Sequence, residues 1–110
     1  MQARKRKTSM ELTIFARFHA LEGNEDAVES ALLGQAARVR EEPGCLLIGA
    51  YRSVRNPRLF YIHSRWVDEA AFEIHAELPW TVGFVQRMEL LIDHPFDVTR
   101  TKQLADGLCC

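Results

Sequence analysis

The sequence predicts an α+β domain: one sheet of four strands with helices on one of its faces. Three observations carry this. Four stretches alternate apolar and polar residues with period two, near 11–19, 46–54, 59–66 and 96–101. Between them lie stretches whose apolar residues recur at three- and four-residue spacing. Turn signals separate the two kinds: Gly23-Asn24, Pro43-Gly44, Asn56-Pro57 and His94-Pro95. The order β-α-β-β-α-α-β, with helices in both halves, fits a ferredoxin-like βαββααβ sandwich.

The first strand places Leu12, Ile14, Ala16 and Phe18 on one face and Thr13, Phe15, Arg17 and His19 on the other. Asn24 is a good helix N-cap, and Glu25 and Asp26 suit the positive end of the helix dipole. Val28, Ala31, Leu32, Ala36 and Val39 form that helix's apolar stripe, and Pro43-Gly44 ends it. The second and third strands read as a hairpin across Arg55-Asn56-Pro57-Arg58. On the third strand Phe60, Ile62, Ser64 and Trp66 share one face; Tyr61, His63 and Arg65 share the other. Asp68 can cap the second helix, whose inward stripe reads Ala71, Ile74, His75 and Leu78. Pro79 breaks it and suits the first turn of a third helix. Trp80, Phe84, Met88 and Leu91 continue the stripe. Helices on one side leave the other sheet face to water or a second chain, and Phe15 on that face favours a homodimer.

The chain has 110 residues, enough for one small domain, expected over 10–101 between a basic tail at 1–9 and a C-terminal tail at 102–110. Hydrophobic residues make up 47% and charged residues 26%, which fits a globular protein and not a disordered one. A net charge of −1 gives no reason to expect nucleic acid or an anionic membrane. Arg4-Lys5-Arg6-Lys7 reads as a solvated tail; no apolar segment follows it, so it is not a secretory signal. With no run long enough to span a membrane, a cytoplasmic location is expected. Cys45 reads as a buried small hydrophobe, and Cys109 and Cys110 lie on a polar tail. No cysteine spacing suggests a metal, and phosphate-loop and dinucleotide motifs are absent.

The block Glu42-Pro43-Gly44-Cys45, followed by Trp66-Val67-Asp68-Glu69-Ala70-Ala71, His75, Pro79 and Phe84, resembles the antibiotic biosynthesis monooxygenase family, which includes small quinol monooxygenases. The resemblance runs from about residue 10 to about 101. It implies a dimeric α+β barrel, with two sheets face to face and a pocket between sheet and helices in each subunit. Some members of the family oxidise phenols or hydroquinones with O₂ and no cofactor; others degrade haem or process small signalling molecules. Many carry Glu two residues before the Trp, where this chain has Ser64, and Pro-His where it has Pro79-Trp80. Both departures remove an ionisable group. The iron-ligating Asn and His of the haem-degrading members correspond most nearly to Ala16 and Val85, so neither haem nor metal is expected.

His75 then has two readings. It is a core histidine bonded to backbone, or a base that deprotonates a phenol, since imidazole titrates near neutrality. Trp66 is either a large core residue or a catalytic-site wall whose N–H donates to substrate oxygen. Trp80, Ser64, Phe84 and Ile62 complete the expected substrate contacts, while His63 and His19 read as interface or solvent residues. The expected function is cofactor-independent oxidation, by O₂, of a small aromatic phenol or quinol. The alternative is a non-catalytic small-ligand-binding or stress-response module on the same fold.

Overall fold

The computed structural model describes residues 11–105. The basic tail, Cys109 and Cys110 lie outside them. The elements are β1 (Leu12–His19), α1 (Glu25–Val39), β2 (Cys45–Arg52), β3 (Leu59–Trp66), α2 (Glu69–Glu77), α3 (Pro79–Glu89) and β4 (Asp97–Thr101). They build one antiparallel sheet in the order β2-β3-β1-β4, the ferredoxin-like arrangement. No helix among the described residues is long and apolar enough to cross a membrane.

Alternation on β1 decides which sheet face is covered. Leu12, Ile14, Ala16 and Phe18 are buried under the helices, while Phe15 is half exposed on the open face and stacks on His63 at 5.1 Å. The covered face holds two apolar clusters. One gathers Phe18 and Phe60 with Val28 and Leu32 of α1 and Phe84 and Met88 of α3. The other gathers Leu12, Ile14, Val39 and Trp66, with Phe72 packed against it. Each buried side chain of this size contributes ~1.5–3 kcal/mol relative to exposure.

Three local readings are corrected. Asn24 makes no side-chain cap on α1; instead Glu25 Oε1 accepts the Gly23 N–H at 3.0 Å. On α2, Ile74 points outward and is 65% exposed, because the helix turns Phe72 toward the edge of the Trp66 indole, at 5.7 Å between rings. On α3 the buried positions are Thr81, Phe84 and Met88, which leaves Trp80 half-buried at the helix margin. The Asp68 cap is as expected, its carboxylate accepting the Ala71 N–H at 2.8 Å.

Gly44 sets how closely α2 approaches the turn before β2. A Cβ there would lie 2.5 Å from the Ala71 Cβ, and the Val67 N–H already bonds Gly44 O at 3.0 Å. Gly44→Ala is therefore expected to lower stability by ~1–3 kcal/mol through overpacking. Urea unfolding checks this, with unchanged stability as the contrary result.

Candidate active site

The sheet floor beneath the helices is uneven. Ala16 pairs across the strands with Ile62, and Ile14 with Ser64, so two small side chains sit among large ones. The missing volume appears as a cavity of about 240 Å³ where the two apolar clusters meet. Ala16, Ile62, Ser64 and Trp66 line it from the sheet, and His75, Thr81 and Phe84 from the helices. The more exposed lining residues, Phe72, Ala76, Val85, Phe96 and Val98, lie between α2, α3 and edge strand β4, where the cavity meets solvent. Arg100 of β4 pins that edge: it bonds Glu73 and Glu69 of α2 and lies over the Phe72 ring at 5.1 Å.

His75 supplies the titratable group in this wall. Its ring lies 4.7 Å from Trp66 and 5.5 Å from Phe72, centroid to centroid. Its partner is Glu42, whose carboxylate oxygens stand 3.0 and 3.1 Å from His75 Nδ1. The Glu42 side chain is 7% exposed and that of His75 12%, so the pair is shielded from solvent. Glu42 is placed by the turn that ends α1: its N–H bonds Val39 O at 2.9 Å, and its carbonyl accepts from Cys45 N–H at 3.1 Å. Pro43 and Gly44 then let the chain pass beneath α2.

The same carboxylate accepts the Trp80 indole N–H at 2.9 Å. Thr81 Oγ1 lies 3.4 Å from His75 Nδ1 and accepts from Gln35 Nε2 at 3.3 Å. An ionised carboxylate can only accept, so Nδ1 carries the proton toward Glu42. Every side-chain hydrogen bond His75 makes among the described residues uses Nδ1. That leaves the Nε2 lone pair of the neutral ring for a substrate proton. An acceptor behind the ring fixes this tautomer and the ring's orientation.

The expected site residues divide into two groups. His75, Trp66, Ser64, Phe84 and Ile62 come together around the cavity. Trp80 does not line it; it faces a larger outer groove of about 690 Å³, with Arg38 5.0 Å over its ring. Trp66 borders both spaces, but its N–H is taken by Ser64 Oγ at 3.0 Å. Glu42, Gln35, Thr81 and Phe72 were not foreseen as site residues. The Cys45 thiol is pushed up chiefly by burial, which keeps it protonated and a poor nucleophile.

The chain is similar to known proteins in sequence and in fold. Residues 12–86 match the family model described as antibiotic biosynthesis monooxygenase. The chain is 33% identical over 63 residues to a Bacillus subtilis (strain 168) protein named "Putative monooxygenase YcnE", a match covering 57% of this chain and 66% of that protein. It therefore spans just under two thirds of that curated relative. Among solved structures, PA3566 from Pseudomonas aeruginosa superposes with a TM-score of 0.82 at 30% identity, covering 89% of this chain and 98% of the other. A variant of SnoaB, described as a cofactor-independent oxygenase from Streptomyces nogalater, superposes at 0.80 and 18% identity, with coverages of 89% and 97%. This last likeness shows the fold alone.

Proposed function

The chain belongs to the antibiotic biosynthesis monooxygenase family, and on that premise we propose that it oxidises a small phenolic or quinol-like substrate with O₂ and no cofactor. The observation that carries this reading is His75 in the wall of an apolar cavity, with Nδ1 held by buried Glu42. An apolar cavity of ~150 Å³ suffices for benzene. The 240 Å³ here suits one phenolic ring with its substituents better than an extended polycycle.

In the proposed reaction His75 Nε2 takes the phenolic proton, and Glu42 stabilises the imidazolium. The phenolate gives one electron to O₂, and the phenoxyl radical and superoxide then combine with C–O bond formation at the ring. The resulting peroxide anion takes the proton back from His75, and the hydroperoxide loses water as its O–O bond breaks and the ring C–H proton leaves. One oxygen atom becomes the second quinone carbonyl and the other leaves as water. The four electrons lost by the phenol match the four that O₂ accepts. Catalysis then needs little beyond a dry pocket, a base and a stabilised anion.

Oxygen uptake on a panel of phenols and hydroquinones tests the reading. Turnover above the uncatalysed rate, with quinone formed in step with O₂ consumed, supports it. The binding-module reading has its own observation: the Trp66 N–H is already bonded to Ser64, so it offers no free donor to a substrate oxyanion. Ligand binding without oxygen uptake across the panel would favour that module.

The open sheet face is proposed to pair with a second copy in a dimeric α+β barrel. Phe15, Tyr51, Tyr61 and Leu47 are exposed there, large apolar side chains gathered on one face of the sheet. Light scattering is expected to give twice the chain mass for the native protein and the single mass for Phe15→Asp. A folded native monomer at micromolar concentration would count against the barrel. A cytoplasmic location belongs to the same proposal.

A further inference from the structure

We propose that His19, Asp93 and His94 form a binding site for a divalent cation of the zinc class, at the end of β1 opposite the Trp66 end of the sheet. Backbone pairing brings these residues together. His19 is the last residue of β1, Ala20 bridges Ile92 in antiparallel fashion, and Asp93 N–H bonds His19 O at 3.0 Å. His19 Nδ1 then lies 2.6 Å from Asp93 Oδ2, while His94 Nδ1 approaches the other oxygen, Oδ1. The three prospective ligand atoms all fall within 4.8 Å of one another.

Two imidazole nitrogens and a carboxylate oxygen form a donor set suited to zinc, with a position left for water or a fourth ligand. Glu89 lines the same surface cleft as Asp93 and His94. The cluster is reachable: the His19, Asp93 and His94 side chains are 26%, 27% and 50% exposed. A cation would displace the protons now shared between the rings and the carboxylate. Arg58 opposes it: its Nε is anchored on Ala20 O at 2.9 Å, which holds Nη2 3.4 Å from Asp93 Oδ2 and sets its charge against the cation's. His19 and Asp93 are separated by 74 positions, so no short motif announces the site.

Isothermal titration with zinc, in a chain carrying Cys109→Ser and Cys110→Ser to remove competing thiols, is the test. One equivalent per chain is expected, with the d–d absorption of a four-coordinate ion when cobalt(II) is substituted. His19→Ala and His94→Ala are each expected to weaken binding by more than ~10-fold, since even partners that only support a ligand cost that much. His75→Asn is expected to leave it unchanged. Arg58→Gln, which removes the opposing charge, is expected to tighten it. Absence of one-equivalent binding overturns the proposal, as does binding that survives both histidine substitutions or disappears with His75→Asn.

Discussion

His75→Asn is expected to lower oxygen uptake on a quinol substrate by ~10²–10⁴-fold, the usual cost of losing a general base, while melting close to the native protein. The choice of asparagine follows from the hydrogen bonds around the ring. The asparagine amide N–H₂ can stand near the present Nδ1 and donate to Glu42, which now lies 3.0 Å from that nitrogen. It offers nothing basic where Nε2 was. His75→Ala is a poorer probe, because Trp80 would be the last side-chain donor to Glu42 among the described residues. An under-satisfied buried acceptor costs ~1–3 kcal/mol, and the ring's contacts with Trp66 and Phe72 would be lost as well. Loss of activity in the alanine variant would therefore mix chemistry with unfolding. Full turnover in His75→Asn would mean that imidazole is not the base and that the substrate's own acidity suffices. A large fall in melting temperature with the asparagine in place would instead favour the core-histidine reading.

The sheet was legible because period-two alternation is a strong signal where one face is covered and the other is not. β3 has the expected bounds, and the four apolar β1 residues expected on one face are all buried, with Thr13 of the other face buried as well beside β4. The helices were legible as elements but less so in rotation. α2 has only nine residues, too few for its stripe to separate Ile74 from Phe72. Both candidate stripes contain His75, so its placement does not depend on the choice, and contact with Trp66 and Gly44 decides the rest. α3 shows the same ambiguity between Trp80 and Thr81, settled by the bond from Gln35 on α1 to Thr81. Glu42 was not legible as a site residue. It follows the helix, precedes Pro-Gly and belongs to no periodic stripe, so nothing local reports its burial. Its two partners lie 33 and 38 positions downstream, and only the folded chain brings them to one carboxylate. The one available signal was its place in the Glu-Pro-Gly-Cys block that carries the family resemblance.

Glu42→Gln should reduce kcat by a comparable ~10²–10⁴-fold although the substitution is nearly isosteric. The reason is the direction of two hydrogen bonds. The native carboxylate accepts from both His75 Nδ1 and Trp80 Nε1. A glutamine has one acceptor oxygen and one amide nitrogen for these two neighbours. The indole N–H can only donate, so it takes the oxygen. The amide N–H₂ then faces His75 Nδ1 and donates to it, which moves the ring's own proton to Nε2. The imidazole would present an N–H to the substrate where the mechanism needs a lone pair. The charge that stabilises the imidazolium is lost in the same step. Because packing is kept, KM and melting temperature should change little, and the activity loss should not be recovered at saturating substrate. Nitrogen-15 chemical shifts of His75 read the tautomer directly and should exchange between Nδ1 and Nε2 in the variant. A role confined to holding the fold would not move those shifts. An unchanged tautomer together with native turnover would remove Glu42 from the proposed mechanism.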